Sequence, residues 1–492
     1  MNKSQKKQEK VLIALSAPRQ ARGAQRKKVL VALSGGIDSA VSAYLLIKQG
    51  YEVEAAFMKN WSSTAGLLKN ECPWLADRQD ALRVAAFLRI SLHTLNFEKQ
   101  YQKTVMRYFF DEYKKGRTPN PDVMCNKEIK FKLLYNWAME NGFDYLATGH
   151  YAQIYTTPSP FGRHPSLAGG EAPRSLSSFS KEEYPAKRGE VVGVKYQLMR
   201  SADEFKDQTY FIYNIKQEQL PHLLFPIGGM KKPAVRSLAR KLKLPNAEKK
   251  ESMGLCFVGK IRLKDFLEQK LTAKPGPIVL LSSEKPSPPC TSRLTPVQGK
   301  LIPLPKGEGN KDTRSSPIRL RQGYGGQVGR GGQNLLGQHQ GLFNYTIGQR
   351  QGIKVGGTGP YYVVKKDLKT NTLYVTNNPD DKNLLTKEVQ IHSVNFITPP
   401  SLPFKKGEEP AVPPSFRRSD EALCEVGLKR GLGGVKLMGR YRHQGELVGL
   451  TLKKISQGNY QVNFFHPQKA VASGQSLVLY KGKECIGGGI IG

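Results

Sequence analysis

The chain has 492 residues, with 76 Lys plus Arg against 40 Asp plus Glu, a formal charge of +36. That excess points to a polyanionic partner, nucleic acid before an anionic membrane. No run of 18 apolar residues occurs, which excludes a transmembrane helix; six cysteines without a C-x-x-C pair exclude a disulfide scaffold and argue against a zinc ribbon.

Residues 1–27 hold eight Lys or Arg and one Glu. They lack the apolar stretch of a secretion signal and read as a basic disordered tail, with a mitochondrial presequence as the rival. A reducing compartment is expected either way, the cytoplasm first and the mitochondrion as the alternative. From Lys28 to about Tyr155 apolar runs alternate with helical patterns. Val29–Leu33 reads as a strand buried on both faces, Ala40–Gln49 as a helix, Val53–Met58 as a strand and Leu75–Leu88 as a helix. Ser91–Phe97 is a third strand, 98–114 and 127–140 are helices, and Tyr145–Thr148 is another strand. This alternation predicts an α/β fold with a doubly wound parallel sheet over 28–215. Residues 216–275 read as a mostly helical central domain. Short strands at 361–365, 372–376, 447–453, 460–465 and 476–480 predict a small β-barrel or sandwich over 276–492. Three segments, 157–194, 282–335 and 399–435, show no useful periodicity and read as insertions into surface loops, where added length costs little closure entropy. The middle one holds 7 Pro and 9 Gly in 54 positions. Without tail and insertions the body still carries +21, so the basic character belongs to folded protein.

Three motifs carry chemistry. Ser34-Gly35-Gly36-Ile37-Asp38-Ser39 lies between the first strand and the first helix. Two glycines permit a tight turn that aims N–H groups at an anion, and the following helix N-terminus adds its dipole. The Lys of a Walker loop is absent, so this is not a P-loop NTPase. The second motif runs from Gly116 to Phe131 through Asn120-Pro121-Asp122 and Cys125. The prolines predict a helix starting near Asp122 or Cys125. Such a start puts Cys125 near a helix N-terminus, with Lys127 and Lys130 close, a setting that favours thiolate. The third motif, Glu251–Gly259, holds Cys256. Two distant cysteines suit sulfur transfer, one carrying a persulfide and the other resolving it. Cys72, Cys290, Cys424 and Cys485 belong to no motif. Gly487–Gly492 satisfies G-x-G-x-x-G, but no helix can follow it, so it reads as a terminal strand or turn.

S-G-G-x-D-S after an apolar strand resembles the pyrophosphate loop of N-type ATP pyrophosphatases. Together with Phe57–Trp61, Ala147–Tyr151, Lys206–Phe211, Tyr345–Arg350, Arg440–Arg442 and Ser473–Ser476, in order along the chain, the set resembles the tRNA-specific 2-thiouridylases. The resemblance implies an ATP-pyrophosphatase domain, a small central domain and a C-terminal β-barrel that holds tRNA. It implies ATP contacts at Ala32, Leu33, Ser34, Gly35, Gly36, Ile37, Asp38, Ser39, Met58 and Gly149. Asn120, Pro121 and Asp122 would meet the target uridine; His150, Lys206, Asp207, Gln208, Arg440, Tyr441 and Gln475 would touch tRNA. Cys125 would be the nucleophile, Cys256 the persulfide carrier, and Asp122 an acid or base. ATP and Mg²⁺ are the implied cofactors, with the metal held largely by phosphates and no protein metal site. The implied partners are tRNA, through its anticodon stem-loop and wobble uridine, and a persulfide donor protein or cysteine desulfurase; no membrane is involved. Two other readings stay open: a thiol-free ligase of the same ATP-pyrophosphatase class, and an RNA-binding protein without catalysis.

Overall fold

The computed structural model describes residues 26–62, 73–156, 196–250, 263–268, 270–281, 334–353, 355, 360–398 and 435–492. The basic tail, the 251–259 motif with Cys256, and Cys72, Cys290 and Cys424 lie outside the described residues, as do nearly all of the three proposed insertions. The ends of two insertions are described and structured: Asn334 and Leu335 open one strand, and Val435 opens another.

The first sheet is parallel. Its early strands are β1 (Lys28–Ala32), β2 (Glu52–Lys59) and β3 (Leu92–Asn96), with α1 (Ile37–Lys48) and α2 (Pro73–Leu88) between them. Helix α3 spans 98–114 and α4 spans 121–140; each carries an internal π-helical stretch, Gln102–Met106 and Asn126–Leu134, which helical periodicity does not disclose. Strand β4 (Tyr145–Ala147) follows, and β7 (Leu223–Leu224) completes the sheet in the order β3-β2-β1-β4-β7. The order reverses between β1 and β4. In such sheets the loops leaving the carboxyl ends at the reversal border the ligand crevice. Here those loops are 33–39 and 148–150, so the sheet topology brings two sequence motifs together.

Strands β5 (Ala152–Thr156) and β6 (Tyr196–Arg200) do not join that sheet; they extend a second one. Helix α5 (Thr209–Ile212) and a 3₁₀ turn, Gln217–His222, precede β7, and α6 (Lys232–Lys241) follows it. Helix α6 is not part of a separate helical domain. Its Val235 and Ala239, with Leu244, share one buried cluster with Ile37, Val41, Phe57, Val84 and Ile227. This corrects the expected boundary at residue 216, because an amphipathic helix of ten residues buries its apolar stripe on the nearest open core. Helix α7 (Leu263–Glu268) follows.

The region expected as one barrel over 276–492 is two bodies. Residues 274–384 form a compact unit of their own. It is built on β8 (Gly276–Leu280), β9 (Asn334–His339), β10 (Tyr362–Asp367) and β11 (Thr372–Thr376) around Ile278, Tyr345, Val363, Leu373 and Val375. The barrel proper uses β12 (Leu385–Phe396), β13 (Val435–Arg440), β14 (Val448–Ser456), β15 (Asn459–Lys469), β16 (Ser476–Lys481) and β17 (Glu484–Ile491). They run β12-β15-β14-β13-β16-β17, and β12 pairs with β17 to close the ring. Closure removes the edges that would otherwise seed intermolecular pairing. The glycine-rich terminus is thus a strand, and Gly487, at φ +142°, sits where a Cβ would collide with Asn395. Among the described residues no helix is long and apolar enough to cross a membrane.

Candidate active site between the nucleotide loop and the cysteine helix

The loop after β1 is closed by its own serines. Ser39 Oγ donates to the Gly36 carbonyl at 3.1 Å and accepts from the Ser34 N–H at 3.3 Å. Gly36 occupies the N-cap of α1 and supplies no side-chain cap, so the first-turn N–H groups are left for an anion. Gly35 adopts φ +76°, and a Cβ there would overlap the Asp77 carbonyl of α2. Gly149 closes the opposite wall: a Cβ on it would stand 2.7 Å from the Ser39 nitrogen. Both glycines are required by close approach. At the carboxyl end of β2, beyond buried Met58, Asn60 is buried with neither amide atom hydrogen-bonded. Orphan amides of that kind are found where a ligand or water completes them. A nucleotide with its phosphates on the loop fits this set of donors, glycines and unfilled polar groups.

Sequence reasoning missed the groups that reach the loop from far along the chain. Lys232, at the start of α6, places Nζ 2.8 Å from both carboxylate oxygens of Asp38, and Tyr151 donates its hydroxyl to the same carboxylate at 3.0 Å. Asn246 donates to the Gly35 carbonyl at 2.9 Å, and Lys249 bridges Asp77 and Asp80 of α2. Nothing local in the sequence marks these residues, since about 200 positions separate Lys232 from Asp38. A buried ammonium on an anion loop is a group poised for phosphate. Lys232→Met, like Asp38→Ala, is therefore expected to weaken ATP binding by about 10–100-fold, the loss of a charged hydrogen-bonded pair, while leaving RNA affinity within twofold. Titration calorimetry with each ligand separately checks this, and an unchanged ATP affinity in both variants would refute it.

On the other side lies the cysteine helix. Asn120, not Asp122, is the N-cap: its Oδ1 accepts from the Val123 N–H at 3.2 Å, and Pro121 fills the first turn. Asp122 is half-buried in that turn, and Cys125 is 1% exposed one turn in. Of the two lysines expected near it, Lys127 points outward and Lys130 turns inward. Lys130 Nζ donates to Asn126 Oδ1 at 2.8 Å and lies 3.3 Å from His150 Nε2. His150 in turn lies 2.7 Å from Thr148 Oγ1 through Nδ1. Burial first, and the Lys130 charge second, hold His150 well below its usual pKa. The ring is neutral, with Nε2 accepting and Nδ1–H donating. Close packing thus runs from Ser39 past Gly149 and His150, and on through Lys130 to Asn126, the residue beside Cys125. A narrow crevice beside this helix is lined by Tyr108, Asn120, Met124 and Lys127, with Ser393 and Ser476 of the barrel opposite.

Several residues expected at an RNA surface face inward. Asp207 has no side-chain exposure; Arg440 reaches it at 3.0 Å, Arg200 at 3.4 Å, and Thr209 Oγ1 at 3.0 Å. Arg440 is itself buried and packs on Tyr480. His150 is buried as described. Gln208 brackets Tyr151, accepting from its N–H through Oε1 and donating its own N–H to its carbonyl, both at 2.9 Å. Gln475 donates to the Thr118 carbonyl at 2.6 Å, fixing the segment that leads into Asn120. Tyr441 is half-buried against Phe464. Of this group Lys206, Gln208, Tyr441 and Gln475 remain partly exposed; His150, Asp207 and Arg440 are buried and hold the fold around the site.

Fully or partly buried imidazoles make the fold acid-sensitive. His150, His339, His392 and His443 are all held below the usual value, burial being the largest cause in each. The unfolded chain binds protons at these groups below about pH 6.5 and the native state does not, so stability is full above that pH and falls as pH drops. Urea midpoints should decline from pH 7 to 5. His150→Gln should flatten the slope by up to about 1.4 kcal/mol per pH unit, and an unchanged slope would contradict the assignment.

Comparison with known proteins agrees with this geometry. The tRNA methyl transferase HUP domain family matches residues 27–260, its PRC-barrel domain 322–377, and an aminomethyltransferase beta-barrel domain 432–491. The tRNA-specific 2-thiouridylase MnmA of Flavobacterium johnsoniae is 37% identical over 472 residues, covering 94% of this chain and all of that protein. Those of Lysinibacillus sphaericus (34%, 96% of each chain) and Proteus mirabilis (35%, 95% of this chain and 97% of that one) align over the same extent. With relatives of that identity covered from end to end, and with the nucleotide loop and cysteine helix meeting at the reversal of the sheet, the chain belongs to the tRNA-specific 2-thiouridylase family.

Proposed function

We propose that this protein is an ATP-dependent tRNA uridine 2-sulfurtransferase acting on the wobble uridine. The observation that carries the reading is the contact path from the nucleotide loop at Ser39 to the helix of Cys125. One site can therefore activate a base and deliver sulfur to it. Asn120, which lines the crevice, and Pro121 and Asp122, which follow it in the first turn of α4, would meet the uridine. The O2 of the base attacks the α-phosphate of ATP and pyrophosphate leaves. The loop N–H groups and Lys232 meet the charge on the phosphates; an Mg²⁺ ion accompanying ATP would offset the remainder. C2 is now bonded to a good leaving group, AMP. A donor protein or cysteine desulfurase loads Cys256 with a terminal sulfur. In one route that sulfur attacks C2 and AMP leaves; Cys125 thiolate then attacks Cys256 Sγ and frees the thiocarbonyl. In the other, Cys125 attacks first and the released hydrosulfide attacks C2. Both routes end in a Cys125–Cys256 disulfide that takes two electrons from an external thiol to reset. Asp122 moves the proton between sulfur and base. The +21 body suits a partner held mainly through phosphates, and the site of action is the cytoplasm.

The test is incubation of the full chain with ATP, a cysteine desulfurase, cysteine and an unmodified tRNA transcript. The expected outcome is tRNA-dependent pyrophosphate release together with exchange of oxygen for sulfur at one uridine, read by nucleoside mass spectrometry. Gain of a methyl group, or thiolation without pyrophosphate, would overturn the reading.

A further inference from the structure

Phe205 is 84% exposed, far beyond the next large apolar side chain among the described residues, Leu335 at 53%. A single exposed aromatic is unremarkable by itself, but this one stands on a rigid mount. Asp203 pins its turn: its carboxylate accepts from the Lys206 N–H at 3.2 Å and from the Lys232 N–H at 2.8 Å, and its own N–H donates to Ser201 Oγ. The Phe205 carbonyl is held from the barrel by Gln444 Nε2 at 3.3 Å. Gln444 adopts φ +61°, left-handed for a residue with a Cβ, at the tip of a turn closed by Gly445 N–H on the Arg442 carbonyl. Strain of that kind persists where the surroundings enforce it and clusters at working sites. Arg442 is exposed beside Gln444, and His443 lies under the rim, stacked on Phe211 at 4.4 Å. Phe211 is tied by its carbonyl to Asn126, the neighbour of Cys125. An outward-facing ring on a pinned backbone, next in sequence to Lys206 and held to the barrel turn that carries Arg442, whose guanidinium is anchored on the Lys469 and Ala470 carbonyls, is the arrangement that holds unpaired nucleic-acid bases, stacking on the ring while cations meet the phosphates.

We infer that Phe205 is a stacking platform for an unpaired base of the tRNA anticodon loop, placed beside the reacting uridine by the turn 201–206 and the barrel turn 441–445. This rests on the tRNA reading above and adds to it a contact that tells single-stranded from paired RNA. Stacking releases no counterions, so its signature differs from that of the neighbouring cations.

The experiment measures binding of a tRNA transcript, and of its anticodon stem-loop bearing 2-aminopurine at successive loop positions, to the full chain. Phe205→Ala should weaken both by about 10-fold or more, the value of one base stacked on an aromatic ring. Its salt slope should be unchanged, and quenching at one loop position should be lost. Phe205→Trp should restore both. Lys206→Ala should instead lower the salt slope by about one. ATP affinity and melting temperature should not move with Phe205→Ala. If the unaltered protein binds tRNA and Phe205→Ala binds it equally with the same quenching, the inference fails while the function stands. If the unaltered protein does not bind tRNA, the function itself fails. Loss of persulfide loading with tRNA binding intact would also overturn the inference and make the ring a contact for the donor protein.

Discussion

Cys125→Ser is expected to load a persulfide on Cys256 at the normal rate and then to fail at delivery, losing roughly 10³-fold or more in turnover, as removal of a nucleophile does. Serine preserves volume and hydrogen bonding but cannot form the disulfide that releases sulfur. The position supports this division of labour. Cys125 lies in the first turns of α4 and is shielded from water at 1% exposure. Cys256→Ser should lose loading and thiolation together while still releasing pyrophosphate with tRNA and ATP. Mass spectrometry of the intact protein after desulfurase treatment, followed by single-turnover thiolation, separates the two. Persulfide on Cys125 and never on Cys256 would reverse the roles, and full activity of the double variant would end the sulfur-transfer reading. Cys485 is the wrong place for a serine control. It is fully buried in the barrel, and burial pushes its thiol far above the usual range. A hydroxyl there would cost about 1–3 kcal/mol, so Cys485→Ala is the fair comparison.

The largest stability loss should follow Asp207→Ala. The side chain is fully buried and accepts from Arg440, Arg200, Ser201 and Thr209. Removing it leaves Arg440 buried without its carboxylate, and breaking a buried pair from one side costs about 3–5 kcal/mol. Denaturant midpoints should fall accordingly, and tRNA affinity of the folded fraction should change by less than threefold. The opposite pattern, normal stability with lost RNA binding, would return Asp207 to the RNA surface.

Asp207 also shows how far sequence alone reaches. The motif around it was legible, because Lys206-Asp207-Gln208-Thr209 keeps its order and spacing, but a motif gives position without direction. Only the approach of Arg440, 233 positions away, turns the carboxylate inward. The nucleotide loop was legible in full, since strand, glycines and helix are contiguous and the physics of an anion nest is local. Four of the five strands of the parallel sheet fell within a residue of expectation for the same reason, while β7, two residues inside a stretch read as mostly helical, was not foreseen. Lys232, Asn246 and Lys249 were not legible, because each reaches the site across the fold from segments that read as ordinary helix and loop. The separation of 274–384 from the barrel was hidden as well: alternating strands look alike in sequence whichever sheet they join. Asn120 caps α4, a residue before the expected helix start near Asp122, because Pro121 fixes the first helical position and assigns the cap to the residue before it.

The pairing of β17 with β6 sets an order of events during synthesis. Met199 of β6 meets Glu484 of β17, so one partner leaves the ribosome 285 residues after the other. At 5–20 residues per second that is roughly 15–60 s. Throughout that interval the parallel sheet can form, yet β6 presents an unpaired edge, the surface most open to joining another nascent chain. Cells translating this protein would then have reason to keep a chaperone on the half-made chain until the barrel closes, and a truncation before residue 484 should aggregate although its first domain is complete.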